Sequence, residues 1–250
     1  MPNDQAHDDE KEMGFLDHLE ELRMRIFRAA LAVVFFSAIA AFFADFLVKE
    51  VLLAPLLAVG LKAQVLTPYG IMMTYMEVVI VVGIIAAMPI ILYQLWKFIA
   101  PGLMPNERKY ASSIVFFTSL CFLSGVAFAY FIIVPTALKF FSTFGTDVFE
   151  LNIAINEYIS FLLSLILGSG LVFELPMVAY FLTKIGLLSP GVMRKYRRHA
   201  IVGILIIAAI ATPTPDILTQ SLFAAPMILL YEISIFISKF AQKKSESPKE

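Results

Sequence analysis

Three carboxylates in this 250-residue chain stand where an acid needs a reason. Glu174 lies in Leu171-Val-Phe-Glu-Leu-Pro176, inside a long apolar stretch and about 15 Å from its basic end at helical rise. An ionised acid near a bilayer midplane is costly, so Glu174 is expected to be protonated or paired, and proton coupling is the chemistry such a group offers. The competing account is a neutral side chain bonded to the carbonyl that Pro176 frees. Membrane proteins rarely keep such groups without use, which favours a functional role. Glu21, in His18-Leu-Glu-Glu-Leu-Arg23, and Glu107, in Met104-Pro-Asn-Glu-Arg-Lys109, are acids in basic surroundings. Two separate carboxylates can grip two guanidinium groups, because the planar Arg fork matches a carboxylate bidentately. The local alternative pairs Glu21 with Arg25 at i,i+4 and places Glu107 in the first turn of a helix. On pattern alone the local account is slightly ahead, since such surface pairs are common and weak.

Other polar groups have simpler readings. Asp216 is a favourable charge in a helix's first turn. The run Arg194-Lys-Tyr-Arg-Arg198 is a topology signal that could also touch anionic lipid or a ligand. Gln94 and Gln220 suit bonds between helices, and Phe98 with Trp96 forms an aromatic lip. Cys121 is the only cysteine and the three histidines have no zinc spacing, so neither a disulfide nor a metal or other cofactor is expected. Phosphate-loop, His-Glu-x-x-His and Gly-x-Ser-x-Gly motifs are absent from the sequence, which argues against an enzyme.

The elements that must position these residues are membrane spans. Hydrophobic residues make up 60% of the chain and charged ones 16%, too apolar for an ordinary soluble domain. Six apolar stretches run over 26–44, 78–96, 110–138, 158–183, 200–212 and 217–231. If each crosses, 16 of the 19 Lys/Arg fall on one side, which marks that side and both termini as cytoplasmic. Residues 1–14 read as a disordered acidic tail, 15–240 as one membrane domain, and 241–250 as a polar cytoplasmic tail. With no cleavable export signal, the chain is expected to stay whole.

Within that domain, 13–28 reads as an amphipathic helix at the inner surface that runs into the first span. Segment 45–77 is long for a connection, and Pro55, Gly60, Pro68 and Gly70 break it. An interfacial helix and a structured outer cap are expected there, with 139–157 as a second piece. The third stretch, about 43 Å as a helix, exceeds a ~30 Å core. The last two, about 20–22 Å, form a short hairpin around Thr212-Pro-Thr-Pro-Asp216. Pro89, Pro135, Pro176 and Pro226 bend their helices toward a concave shape.

Taken together, these motifs resemble a known family. Phe15-Leu-Asp-His-Leu-Glu-Glu-Leu-Arg-Met-Arg25 is similar to the N-terminal signature of the TatC family, the multi-span receptor subunit of the twin-arginine protein translocase. So are Pro89-Ile-Ile-Leu-Tyr-Gln-Leu-Trp-Lys-Phe-Ile-Ala-Pro-Gly102, Asn106-Glu-Arg-Lys109, Phe128-Ala-Tyr-Phe131, Phe173-Glu-Leu-Pro176 and Thr214-Pro-Asp216, in family order. The family commonly has Thr-Pro-Pro-Asp at the last of these, and this chain carries one residue more.

The resemblance implies an all-α, glove-shaped protein of six transmembrane helices in a prokaryotic inner membrane. It would bind signal peptides bearing paired arginines and recruit single-span subunits of the TatA/TatB type in a multimeric complex. Export of folded cargo would be driven by the proton-motive force. Glu21 and Glu107 then look like the arginine-binding acids, with Arg23 and Phe98 beside them, which reverses the local preference. Glu174 looks like the intramembrane acid that meets a partner's span, and Asp216 matches a further acid of the family. The alternative is a proton-coupled solute transporter using Glu174, although one intramembrane acid and no internal repeat argue against it. No nucleic-acid partner is expected.

Overall fold

The computed structural model describes residues 15–99, 111–143, 152–211 and 217–245. The expected acidic tail, Glu107 and Asp216 lie outside these residues. Phe15–Phe42 is one continuous helix of 28 residues, so the amphipathic segment and the first span form a single rod. Its apolar residues face outward: Ile26, Phe27, Leu31 and Phe35 are each at least 60% exposed, as side chains meant for lipid should be. It packs chiefly on the helix Gly70–Ile99. The two backbones cross at Gly83, where a Cβ would sit 2.7 Å from the Cα and 2.8 Å from the backbone nitrogen of Ser37.

The second helix starts at Gly70, eight residues before the apolar stretch that announced it. Glu77 interrupts the hydropathy without interrupting the helix, because its Oε2 accepts a 2.7 Å hydrogen bond from the Ser160 hydroxyl. Residues 44–64 form a cap: short helices Ala44–Phe46 and Ala54–Ala58 flank a π-helical turn, Leu47–Leu52, and strand β1, Lys62–Gln64, follows. Gly60 ends the Ala54–Ala58 helix at φ 76°, where Leu61 and Gly60 donate to the Leu56 and Leu57 carbonyls. Strand β2, Asn152–Ala154, pairs in parallel with β1, Lys62 opposite Asn152. The two expected pieces of the cap are therefore joined.

The third span runs through Ala111–Phe128, a second π-helical turn Ala129–Ile133, and Val134–Thr143, with Pro135 in the first turn of its last segment. The wide turns hold the cap down. Tyr130, in the second one, donates to the Val51 carbonyl at 2.8 Å, and Tyr158 donates to that of Leu52 at 2.7 Å. Under them lies the most tightly closed core, where Leu56, Val78, Val134, Ala137, Ile159 and Leu162 have no exposed surface.

The fourth span is broken into Ile155–Val172 and Leu175–Lys184. After Ser189 caps the short helix Pro190–Lys195, Arg197–Ala211 and Ile217–Ser245 follow. Five described segments are long and apolar enough to cross a membrane: His18–Phe42, Gly70–Ile99, Ile114–Thr143, Ile155–Lys184 and Gln220–Gln242. The 15 residues of Arg197–Ala211 reach only about 22 Å.

The last helix departs from expectation. It runs 29 residues, past Glu232 where the apolar stretch ends, and reaches Ser245. Glu232 ends the apolar run but forms an ion pair with Arg197 at 2.5 Å, so the helix continues. Ser238 then faces Thr183 at 2.6 Å, and both are buried. Trp96 also differs. It is not a belt residue at a lip but 6% exposed, edge-on to Phe181 at 5.2 Å.

Candidate functional site

His18, Glu21 and Arg25 occupy one stripe of the first helix at i, i+3 and i+7. The end of the Gly70–Ile99 helix brings Phe98 against His18. The His18 and Phe98 rings lie flat on each other, centroids 4.3 Å apart and planes within 11°. Arg25 Nε donates to Glu21 Oε1 at 2.9 Å, and its Nη2 reaches the same oxygen. The local pairing anticipated from the i,i+4 spacing is thus made.

It is incomplete on both sides. Glu21 Oε2 is buried with no hydrogen-bond partner among the described residues, 3.7 Å from His18 Nδ1. Arg25 Nη1 is buried and without an acceptor as well. The site therefore contains a carboxylate with one oxygen committed and one uncommitted, against an aromatic wall. Such an oxygen can take a cationic donor. Arg23 sits exposed off this stripe. Of the residues singled out from sequence, Phe98 reaches the helix that carries Glu21 through its stack on His18; Glu107 and Asp216 lie outside the described residues. Nothing in the sequence signalled the His18–Phe98 stack, which joins positions 80 residues apart.

The second site is the break in the fourth span. Pro176 has no N–H to give the Val172 carbonyl, so the ladder is interrupted over Phe173 and Glu174. Glu174 closes the turn with its backbone, donating to Leu171 O at 3.1 Å and accepting from Met177 and Val178 at 3.0 and 2.9 Å. Its side chain is 8% exposed, and Oε1 has no hydrogen-bond partner among the described residues. The bond to a proline-freed carbonyl, which would have made Glu174 purely structural, is not made by this oxygen. The third span comes close on the other side: a Cβ on Gly125 would lie 2.6 Å from Ser169 O and 2.9 Å from Gly170 Cα.

Of the polar pairs expected between helices, Gln220 Nε2 donates to Leu205 O at 3.0 Å, whereas Gln94 Oε1 is buried without a partner among the described residues. On the cap, Asp45 accepts from the Tyr75 hydroxyl at 2.6 Å and pairs with Lys49 at 3.2 Å, which holds its carboxyl below the usual carboxylate range.

This is the architecture of a polytopic membrane receptor: long apolar helices, an open series of packed neighbours, a basic-side carboxylate with a spare oxygen, and a buried acid at a helix break. The family model of the Sec-independent protein translocase protein TatC matches residues 17–226. The chain is 40% identical over 239 residues to the Sec-independent protein translocase protein TatC of Carboxydothermus hydrogenoformans, covering 96% of this chain and 98% of that one. It is 38% identical over 241 residues to TatCy of Bacillus subtilis, covering 94% and 92%. A crystal structure of the twin-arginine translocase receptor TatC superposes with a TM-score of 0.81 at 38% identity, over 90% of this chain and 99% of that one. The chain belongs to the TatC family: it is a membrane-embedded receptor subunit of the Sec-independent, twin-arginine protein translocase, and not an enzyme.

Proposed function

We propose that this receptor binds the paired arginines of signal peptides through Glu21 and Glu107, with Arg23 and Phe98 at the same site. The observation that carries the reading is the uncommitted Oε2 of Glu21, buried beside the His18–Phe98 stack. Arg25 already occupies the other oxygen as a guest guanidinium would. An incoming arginine shares or takes over that carboxylate, and its planar fork suits the site better than the single ammonium of lysine.

Glu174 contacts the transmembrane segment of a single-span partner, and Asp216 is a further functional acid. Six spans, with the 197–211 helix as a short fifth, put both termini in the cytoplasm and the protein in the inner membrane. Domain limits are 15–240 with polar tails on either side. Partner recruitment in a multimeric complex then couples cargo export to the proton-motive force.

The test is photo-crosslinking from Asn106 to a signal peptide carrying paired Arg or paired Lys. Arg-selective crosslinks that disappear in Glu21→Ala and in Glu107→Ala are expected. Equal crosslinks from both peptides, or crosslinks indifferent to both substitutions in folded protein, overturn the assignment. Because Arg25 competes for Glu21, Arg25→Gln should tighten the paired-Arg peptide about fivefold, the scale of one partly exposed ion pair.

A further inference from the structure

Three buried polar atoms without a hydrogen-bond partner among the described residues belong to one pair of helices: Glu21 Oε2, Arg25 Nη1 and Gln94 Oε1. Glu21 and Arg25 stand on the first helix. They are half-buried where Arg23 and Met24 between them are exposed, so they lie on the face that packs on the Gly70–Ile99 helix. Gln94 stands on that second helix.

Two contacts fix which face of the second helix meets the first. Gly83 lies against Ser37, and Phe98 stacks on His18. Gln94 follows Gly83 by 11 residues, which brings it back to within about 20° of the same direction, and it precedes Phe98 by one turn. Trp96 is on the opposite side, against Phe181. Gln94 therefore shares the stripe that packs on the first helix. The same two contacts make the helices antiparallel. From the His18–Phe98 stack toward Gly83, Gln94 comes about 6 Å along, and Glu21 and Arg25 come about 4.5 and 10 Å along. Gln94 thus stands at a level between Glu21 and Arg25, across the interface from both.

If Gln94 only served the helix pair, its oxygen would be bonded within it. Arg25 Nη1 is the nearest free donor by level, yet donor and acceptor are both buried and both unpaired. A buried acceptor without a donor is costly, and a site that receives a donor from a ligand accounts for the cost. Glu21 Oε2 and Gln94 Oε1 together offer two acceptors from two helices. A guanidinium has five N–H donors in one plane, enough to give one to each. Lysine presents its donors from a single nitrogen and serves two separated acceptors less well.

We propose that Gln94 is a further binding residue for the paired-arginine motif, its Oε1 accepting from the guanidinium that Glu21 Oε2 holds and so setting the preference for arginine over lysine. The inference rests on the arginine-binding reading above and adds to it the residue that reads the fork.

The test is fluorescence anisotropy of a labelled signal peptide, with paired Arg or paired Lys, on the full chain in lipid nanodiscs. Unfolding in denaturing detergent is followed for each variant. Gln94→Met keeps the length of the side chain and removes the acceptor. It should lower the Arg-over-Lys preference about tenfold, the scale of one hydrogen bond to a charged donor. Its stability should equal or exceed the parent's, because an unpaired buried atom has gone. Gln94→Glu keeps an acceptor at the same reach and should keep the preference. A Gln94→Met chain that keeps the preference while Glu21→Ala loses it overturns this inference and leaves the Glu21 site standing. Loss of the preference together with a loss of stability also overturns it, since Gln94 would then be holding the helices together. So does a Gln94→Glu chain that loses as much as Gln94→Met. Indifference of both Glu21→Ala and Gln94→Met overturns the arginine site and the part of Gln94 in it together.

Discussion

Replacing Glu174 with leucine should make this protein more stable and less functional at once. The side chain is 8% exposed, and Oε1 has no hydrogen-bond partner among the described residues. A buried polar atom left unpaired costs about 1–3 kcal/mol, and an apolar group of similar volume removes that cost. In a bilayer the unfolded chain also finds partners for a carboxyl group, which places the gain near the lower end, about 1 kcal/mol. Leucine fills the volume and leaves the backbone bonds from Met177 and Val178 to the residue-174 carbonyl intact. Unfolding would be followed by denaturing-detergent titration in mixed micelles, with co-purification of a single-span partner measured on the same membranes. Higher stability with lost association is expected for Glu174→Leu. Glu174→Gln, which keeps the hydrogen-bonding shape without charge, should hold association far better than Glu174→Ala. A loss of about 2 kcal/mol or more in Glu174→Leu would refute the reasoning, because the carboxyl would then be making a native bond that holds the break together.

Three further outcomes are expected. Gly83→Leu pushes a side chain into the Ser37 backbone and should cost about 1–3 kcal/mol in the same unfolding assay, with Gly83→Ala milder. Tyr158→Phe removes the hydroxyl bonded to Leu52 O and should cost about 1 kcal/mol, with faster amide exchange confined to the 47–64 cap. Asp45 has its folded-state pKa lowered by the Tyr75 hydroxyl and then by Lys49, so it contributes stability above its unfolded pKa that is lost as pH falls through the folded value. Acid titration should therefore loosen the cap in the parent chain, and Asp45→Asn should flatten that part of the profile.

Most of the membrane architecture was legible because hydropathy reports on spans directly, while helix limits were legible only where apolarity and helicity end together. They part company at Glu77 and Glu232. Each acid ends an apolar run, yet each finds a partner, Ser160 or Arg197, and the helix passes through. The cap was readable as two broken segments. Its pairing was not, because three-residue strands carry no alternation long enough to recognise. Pro176 announced the break beside Glu174, and the i,i+4 spacing announced Glu21–Arg25. Stacking of Phe98 on His18 depends on how two helices cross at Gly83, which no local pattern encodes. The aromatic lip was half right in sequence terms: Phe98 is half-buried against His18, and Trp96 turns inward to Phe181.

The tyrosine clasps over the cap also set an order of assembly. Tyr158 reaches back 106 residues to Leu52 and Tyr130 reaches back 79 to Val51, while β2 joins β1 across a similar distance. Contacts of such long range close late, after the intervening loop entropy has been lost. During synthesis the cap segment therefore emerges beyond the first span with its π-turn carbonyls unclasped, and it waits for the third and fourth spans. A chain stopped before Asn152 would insert its first three spans and still lack the parallel strand pair, leaving the 47–64 segment open to protease until the fourth span is made.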